Sequence, residues 1–372
     1  MNQKIVFIKN QVFSWIYINT LRPIFFLVDA EVIHDQFTFL GKVLGSNFIT
    51  KFFTRIFFSY SNPRLTQKIL GIEFKNPVGL AAGFDKGANL VNILPDVGFG
   101  FEEIGSITGE PCEGNPKPRL WRLKESKSLA VYYGLKNEGC EKAYEKLKNM
   151  KFIIPIWTSI AKTNSPETAD TNKGIEDYIK AYKTLSGIGS ISVLNISCPN
   201  AFGGQPFHDK EKLEKLLKEI SKIKSSKPLL LKLSPDLNKK QLDDIIILSK
   251  KYNVKGFICS NLTKENKPVE KDVSYKGGLS GKLVENLSNE QISYIYNKTK
   301  GKFIIIGTGG IFSAEDAYKK IKLGASLVQL ITGMIYQGPQ LISEINQGLV
   351  ELLEKDRYNN ISEAIGKESK LN

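Results

Sequence analysis

The chain has 372 residues, of which 41% are hydrophobic and 24% are charged, a composition typical of a folded protein and too apolar for a disordered one. Its 52 basic and 38 acidic residues give a formal net charge of +14, but 46 of the basic residues are Lys and only six are Arg. Specific recognition of nucleic acid favours Arg, whose planar fork binds bidentately, so the surplus indicates a solvated lysine-rich surface and no nucleic-acid partner is expected.

The first 60 residues stand apart because they contain 11 of the 21 Phe. Apolar residues recur there at the spacing of one helix face, at Ile49, Phe52, Phe53, Ile56 and Phe57. Residues 37–44 predict an antiparallel partner helix across a turn at 45–47, and residues 5–28 predict a further helix. Polar residues interrupt the apolar runs before they reach membrane-spanning length, and no secretory cleavage site is evident. The aromatic stripe favours an amphipathic element on a membrane surface over a helical pair that buries its aromatics on the main domain.

Residues 61–372 have a different sequence pattern, in which short apolar, β-branched runs alternate with helical patterns. Eight runs predict strands, at residues 78–82, 102–107, 153–160, 191–196, 229–233, 256–259, 303–306 and 327–331. They are apolar without alternation, as expected for parallel strands that are buried on both faces. Helical patterns lie between them, for example at 210–224, 239–251, 284–297 and 314–322. Eight β–α units predict a (β/α)₈ TIM barrel, whereas a doubly wound sheet would usually carry a Gly-rich fingerprint that residues 79–83 match poorly.

In such a barrel the functional residues lie at the carboxyl-terminal ends of the strands. Gly-rich loops at 307–310 and 332–333 follow the last two strands and predict a phosphate site, although two tight turns would share the pattern. Lys232 lies in an apolar strand, so it is either a cation facing an electron-rich ring, such as a flavin, or a lysine whose amine reaches solvent. Cys198 lies between two Asn residues suited to an amide-rich ring, and is either a proton-transferring thiol or a small buried residue.

Hydrolytic and metal chemistry find little support. None of the four Cys forms a C-x-x-C pair, so neither a disulfide framework nor a zinc site is expected. The two His, His34 and His208, are far apart in sequence, and no metal site or Ser-His-Asp arrangement is predicted. The phosphate loops, the buried Lys and the thiol among amides favour flavin redox chemistry instead.

These motifs resemble those of the dihydroorotate dehydrogenases, and specifically of their membrane-associated, quinone-dependent class (class 2). The resemblance runs from about Arg22 to Gly348, and it is carried by segments 76–86, 103–108, 114–122, 195–200, 231–236, 277–281, 307–311 and 324–333. The run Arg22-Pro, Asp29-Ala-Glu31 and His34 resembles the N-terminal extension peculiar to that class, which forms a two-helix lid at the membrane through which quinone enters.

The resemblance implies oxidation of (S)-dihydroorotate to orotate in de novo pyrimidine (UMP) biosynthesis, with non-covalent FMN as cofactor and a membrane quinone as acceptor. We expect an amphipathic helical extension over residues 1–60 and an FMN-binding barrel over residues 61–372, on the cytoplasmic side of a membrane as a peripheral protein. The implied FMN-binding residues are Ala82, Gly83, Ser106, Ser159, Asn195, Lys232, Ser260, Gly281, Gly310, Thr332 and Gly333. The implied dihydroorotate-binding residues are Lys86, Asn195, Asn200 and Asn261, with Cys198 as the base.

Four positions depart from the family pattern. The base of the quinone-dependent class is a Ser, whereas the soluble classes use a Cys, as at Cys198. Val131 stands where the family has a substrate-contacting Asn, Leu262 replaces a Thr, and Ser159 replaces a flavin-contacting Asn. A lost buried hydrogen bond costs about 1–3 kcal/mol, so Val131 and Leu262 together are expected to weaken orotate binding about 100-fold or to mark a different substrate.

Two further readings therefore stay open. The first is a barrel oxidoreductase of the same family with a different substrate or a soluble acceptor such as fumarate. The second, prompted by the +14 charge, is a non-redox RNA-binding module. A related form of it is an RNA-binding flavoprotein of the dihydrouridine synthase type, a family that pairs a catalytic Cys with a basic surface but lacks this N-terminal extension.

Overall fold

Eight parallel strands close into a barrel in the computed structural model, which describes residues 3–264, 270 and 273–369. The strands are β1 (Gln67–Ile69), β2 (Ile72–Phe74), β3 (Val78–Leu80), β4 (Phe101–Ile107), β5 (Leu120–Leu123), β6 (Ser128–Val131), β7 (Ile156–Ile160), β8 (Ile191–Asn195), β9 (Leu229–Leu233), β10 (Gly256–Cys259), β11 (Gly278–Gly281), β12 (Ile304–Thr308) and β13 (Leu327–Leu330). The barrel contains β3, β4, β7, β8, β9, β10, β12 and β13 in that order. The TIM-barrel prediction is confirmed, and the doubly wound alternative is wrong.

Helices pack around the barrel and precede it. They are α1 (Gln3–Ile16), α2 (Arg22–Phe25), α3 (Ala30–Leu44), α4 (Phe48–Phe58), α5 (Leu94–Val97), α6 (Cys140–Leu147), α7 (Thr171–Leu185), α8 (Lys210–Ser221), α9 (Lys239–Lys251), α10 (Glu285–Thr299), α11 (Ala314–Lys322), α12 (Thr332–Gln337) and α13 (Leu341–Lys355). Side-chain caps fix where several of them begin. Asn238 and Gln241 form a capping box at the start of α9, and the Ser313 hydroxyl accepts from the Asp316 N–H at the start of α11.

Aromatic side chains fill the amino-terminal end of the barrel. Phe101 stacks on Trp157 with ring centroids 4.4 Å apart, and Phe74 of the β1–β2 hairpin meets both rings edge-on. Gly79 makes room for this stack, because a Cβ there would lie 2.3 Å from the Phe101 ring. Because side chains fill the amino-terminal end, a site is expected at the carboxyl-terminal end of the barrel.

A three-stranded antiparallel sheet lies at this carboxyl-terminal end. It has the order β11–β6–β5 and is separate from the barrel strands. Tyr336 of α12 holds one edge of it, since its hydroxyl lies 2.8 Å from the carbonyl oxygens of both Leu123 and Ser128. The sheet therefore forms one wall of the barrel mouth.

Residues 3–58 are almost wholly helical. α1 continues through a π-helical turn at Tyr17–Leu21 into α2, so the helix predicted over residues 5–28 is present with an irregular middle. The predicted pair is present as α3 and α4, joined at Gly45–Asn47. α3 is longer than predicted, because the Asp29 side chain accepts from the N–H groups of Glu31 and Val32 and begins the helix there.

The apolar stripe of α4 faces solvent. Its five members are 41–56% exposed, and the neighbouring Phe48 is 80% exposed. The alternative in which this stripe is buried on the main domain is therefore wrong for α4. No helix within the described ranges is both long enough and apolar enough to cross a bilayer.

A buried ion pair fastens α3 to the sheet at the barrel mouth. Arg119 donates from Nη2 to Glu31 Oε1 at 2.7 Å and from Nε to Glu31 Oε2 at 3.0 Å. Their side chains are only 5% and 4% exposed, and the bidentate geometry is the one in which Arg binds carboxylate most strongly. Further along, Tyr17 donates its hydroxyl to the Ile335 carbonyl oxygen at 2.8 Å. The extension is thus attached through specific polar contacts as well as apolar packing.

Candidate active site

A cavity of about 190 Å³ opens at the carboxyl-terminal end of the barrel. The structure brings almost all the predicted site residues to its wall: Ala82, Gly83, Lys86, Ser106, Asn195, Cys198, Asn200, Lys232, Ser260, Asn261, Gly310, Thr332 and Gly333. Two predicted residues do not reach the wall. Ser159 lies behind Ser106, with the two hydroxyl oxygens 2.9 Å apart, and Gly281 lies behind Thr332.

Lys232 enters the cavity wall as half of a buried ion pair. Its Nζ donates to Glu103 Oε2 at 2.9 Å, and the two side chains are 4% and 0% exposed. The alternative in which the Lys232 amine reaches solvent at the strand end is therefore wrong. Glu103 Oε2 also accepts from the Ala82 N–H at 3.2 Å, so one carboxylate fixes both the lysine and the loop after β3. Sequence reasoning missed Glu103 as the partner.

Amide side chains and hydroxyl groups form a connected network beside Lys232. Asn195 donates from Nδ2 to Ser106 Oγ at 2.8 Å, and Asn261 donates from Nδ2 to Asn195 Oδ1 at 3.3 Å. Ser197 joins the two amides, because its hydroxyl donates to Asn195 Oδ1 at 3.1 Å and accepts from Asn261 Nδ2 at 3.0 Å. Since each amide is held by neighbours, the network presents fixed donors and acceptors to the cavity.

Cys198 lies at the edge of this network and is partly exposed, whereas the other three Cys are buried. Burial of its sulfur raises the pKa of the thiol to about 11. On the same loop, Asn200 donates from Nδ2 to the carbonyl oxygen of Val131 at 2.7 Å, which ties the loop to the antiparallel sheet. The thiol is thus held at the cavity in its neutral form near pH 7.

Lys86 provides a second cation at the wall. Its Nζ lies 3.8 Å from the centre of the Tyr133 ring, close enough for a cation–π contact. Burial lowers the pKa of Lys86 to about 8, partly offset by the carboxylates of Asp35 and Glu31. An anionic ligand placed here would meet a cation whose charge is lost in mildly alkaline solution.

The Gly-rich loops are shaped by backbone geometry as well as by the cavity. Gly310 has a φ of +75°, and a Cβ there would lie 2.3 Å from Glu285 Cβ, so only glycine fits. Thr332 contacts the antiparallel sheet, with its hydroxyl oxygen 2.9 Å from Ser280 Oγ.

Within the described part of the chain, the buried hydroxyl of Ser260 has no hydrogen-bond partner, although this residue lines the cavity. An unpaired buried hydroxyl at a cavity wall indicates that a ligand completes it.

Several wall residues were not predicted. Leu120, Leu129 and Ser280 come from the antiparallel sheet, and His34 comes from α3. The resemblance had indicated the segments that carry some of them but not their place in the wall. The two departures Val131 and Leu262 also line the cavity, which makes that side of the wall apolar.

Comparison with known proteins agrees with this geometry. The family profile described as dihydroorotate dehydrogenase matches residues 64–353. A curated relative from Nautilia profundicola, "Dihydroorotate dehydrogenase (quinone)", is 38% identical over 368 residues that cover 95% of this chain and 97% of the relative. The chain belongs to the dihydroorotate dehydrogenase family. A dihydroorotate dehydrogenase (quinone) from Christiangramia forsetii is 40% identical, with 90% of this chain and 99% of the relative covered.

A solved structure agrees as well. Ligand-free DHODH from Eimeria tenella has a TM-score of 0.80 and 28% identity, and the match covers 92% of this chain and all of that one. The resemblance to the dihydroorotate dehydrogenases, seen in the motifs, is therefore confirmed, and the dihydrouridine synthase alternative is wrong as to family. Since 95% of the chain aligns with the Nautilia profundicola relative, most of the N-terminal extension is shared with a protein named for quinone.

Proposed function

We propose that the protein oxidises (S)-dihydroorotate to orotate in de novo pyrimidine biosynthesis and passes the electrons to a membrane quinone. The family membership and the names of its relatives support this activity. The observation that carries it is the cavity itself, where two cations, an amide network and one thiol converge at the barrel mouth. This combination suits an anionic, amide-containing ring that must lose a proton.

The wall also fits FMN, which would supply the acceptor for the hydride of dihydroorotate. Gly310, Thr332 and Gly333 would hold its phosphate, with Gly281 supporting Thr332 from behind. The ring would lie against Ala82, Gly83, Ser106, Lys232 and Ser260, and Asn195 would contact it as well. Ser260, whose hydroxyl otherwise lacks a partner, would gain one, and Lys232 would place a positive charge beside the ring. Ser159 would act only through Ser106, because it does not reach the cavity.

The substrate would be held by Lys86, Asn195, Asn200 and Asn261. Lys86 would pair with the carboxylate, and the three amides would match the donors and acceptors of the pyrimidine ring. Cys198 would accept the proton as a thiolate. Because burial raises its pKa to about 11, the reactive form is scarce near pH 7 and its fraction increases with pH.

The extension would place the enzyme on a membrane. We propose residues 1–60 as the amphipathic extension, residues 61–372 as the barrel, and a peripheral location on the cytoplasmic side. The exposed apolar residues of α1 and α4, including Phe7, Trp15, Phe48 and Phe53, support this assignment because such a face gains free energy by entering the headgroup region. A quinone dissolved in the bilayer would then lie close to the barrel mouth.

The test separates the two half-reactions. Purified protein should carry a flavin that anaerobic dihydroorotate bleaches, and a short-chain quinone should restore its absorbance. If fumarate restores the absorbance and quinone does not, the acceptor assignment is wrong. Cys198→Ala should keep the flavin but not be bleached, whereas Cys198→Ser should be bleached with a pH profile displaced upward, since an alcohol is a weaker acid than a thiol.

The apolar side of the wall favours one second candidate, an FMN-dependent oxidoreductase with a different substrate. Val131 and Leu262 both line the cavity and supply no side-chain hydrogen bond there. If the protein binds FMN but dihydroorotate does not bleach it, this candidate is selected. Screening other cyclic amides for bleaching would then identify the substrate class.

A further inference from the structure

A second, much smaller cavity lies against Cys198. Its volume of about 10 Å³ is room for about one water molecule. Cys198, Asn195 and Leu135 line both this cavity and the main one, so they form the partition between the two. Lys162 and Tyr178 also line the small cavity but are absent from the wall of the large one. The thiol therefore faces the substrate cavity and Lys162 through two separate spaces.

Lys162 is a buried cation without an ion-pair partner of its own. The residue is only 4% exposed, and its Nζ donates to the carbonyl oxygen of Phe202 at 2.6 Å. Within the described ranges no carboxylate lies close enough to form an ion pair with it. Asp177 faces it but accepts from the N–H and hydroxyl of Thr163, at 2.7 and 2.6 Å, and from the Gly109 N–H. The Asp177 carboxylate opposes the effect of burial, but burial prevails and lowers the pKa of Lys162, so a second negative charge close to this amine would be stabilised.

A hydrogen bond and an electrostatic effect link Lys162 to Cys198 and its loop. Phe202 belongs to the loop that follows Cys198, so the hydrogen bond from Lys162 anchors the segment that carries the sulfur. Their charges also act on each other across the small cavity: the Lys162 ammonium lowers the pKa of Cys198, and a Cys198 thiolate raises the pKa of Lys162. Both effects oppose burial, which raises the thiol pKa and lowers that of the amine.

We propose that Lys162 is a positioning residue for Cys198, whose buried ammonium stabilises the thiolate across the small cavity and whose hydrogen bond to Phe202 holds the thiol at the substrate. The inference rests on the proposed function, in which Cys198 takes the substrate proton. In that step a C–H bond of dihydroorotate would break and an S–H bond would form, while the hydride from the adjacent carbon would leave with its electron pair to FMN, the acceptor that the cofactor would supply. Lys162 keeps its own proton throughout.

Other groups face the same sulfur and must be separated from Lys162. A hydrogen bond from the Asn200 backbone N–H lowers the pKa of Cys198, the Cys112 thiol raises it, and Lys264 also lowers it. A Cys198 thiolate in turn raises the pKa of Tyr178. Lys264 is exposed, so solvent and salt screen its charge far more than that of Lys162. Lys264→Met is therefore the matched control, because it removes a lysine charge that faces the same sulfur without emptying a buried site.

The test measures the thiol directly in the FMN-loaded protein. The rate at which iodoacetamide alkylates the peptide that contains Cys198 is measured by mass spectrometry at about pH 7.5, and Cys198→Ser serves as the blank. This pH lies far below the thiol pKa of about 11, so the rate is proportional to the small thiolate fraction, and near neutral pH Lys162 keeps the charge that it would lose in a titration of the thiol. Lys162→Met and Lys162→Gln should both lower the rate about tenfold or more, whereas Lys162→Arg should keep it near the wild-type value.

The variants distinguish charge from loop anchoring. Gln can still donate to Phe202 but carries no charge, so a lowered alkylation rate in Lys162→Gln supports the proposal. An unchanged rate in both neutral variants, or a decrease in Lys264→Met as large as theirs, overturns it. Failure of the proposed function looks different: Cys198→Ala would then be bleached by dihydroorotate at the wild-type rate, whatever the alkylation profile shows.

Discussion

Removing one partner of the Glu31–Arg119 ion pair should destabilise the whole molecule. Glu31→Gln leaves the Arg119 guanidinium 5% exposed and without its carboxylate, a loss that costs about 3–5 kcal/mol for a buried pair. Lys117 and Lys136 lie 3.6 and 3.7 Å from Glu31 but are 64% and 42% exposed, so their side chains can turn into solvent. An unfolding entropy of about 2.1 cal/mol/K per residue gives ~0.8 kcal/mol/K for 372 residues, so Tm should fall by ~4–6 °C.

A double-mutant cycle measures the interaction itself. Calorimetric or circular-dichroism melts of Glu31→Gln, Arg119→Met and the double variant should show a double variant clearly more stable than the sum of the two losses predicts. Glu138→Gln is the control, because Glu138 and Lys142 are 65% and 70% exposed and such a pair contributes about 0.3–0.5 kcal/mol. Strictly additive losses at Glu31 and Arg119 would refute the reasoning.

Three further outcomes follow from the cavity and the extension. Because the pKa of Lys86 is lowered to about 8, its positive charge is present below that pH and lost above it. The KM for dihydroorotate should therefore rise between about pH 7.5 and 9, and a KM that does not change with pH would contradict the role of Lys86. Val131→Asn should restore one polar contact and lower KM for dihydroorotate by about tenfold or more, measured in steady state, whereas an unchanged KM would favour a different substrate. Phe53→Glu places a charge on an exposed apolar face and should sharply reduce co-sedimentation with liposomes. Lys51→Gln changes the net charge by the same one unit on the same helix but outside the apolar stripe, and shows how much of the loss is due to charge alone.

The barrel could be predicted from the sequence because each of its strands is buried on both faces. Such strands appear as short, mostly apolar runs without alternation of polar and apolar residues, and all eight predicted runs overlap an observed barrel strand. The helix at 314–322 was predicted to the residue because Ser313 caps it, whereas the helix predicted to reach residue 224 ends at Ser221. Helix ends without a distinctive cap carry little signal in sequence.

Site residues could be predicted where a residue type is unusual for its position in the sequence. They could be predicted less well where only the folded geometry decides which side chains face the cavity. Lys232 in an apolar strand is such a signal, but its partner Glu103 follows another Glu, and sequence alone does not say which carboxylate turns toward the cavity. The antiparallel sheet was missed because its short strands include Arg, Ser or Gly and do not form apolar, β-branched runs like those of the barrel. Gly281 belongs to a matching motif and Ser159 replaces a flavin-contacting Asn of the family, yet both lie one layer behind the wall, a difference of depth that no motif encodes.

The three tryptophans of the chain can serve as intrinsic fluorescent reporters, because each occupies a different environment. Trp157 is fully buried on Phe101, Trp121 is half-buried in the antiparallel sheet, and Trp15 is 65% exposed on α1. Emission from Trp157 therefore tracks the integrity of the barrel, while that of Trp15 shifts to shorter wavelength only when the extension enters an apolar phase. Single-tryptophan variants would thus follow lipid docking and unfolding in one cuvette without any attached dye.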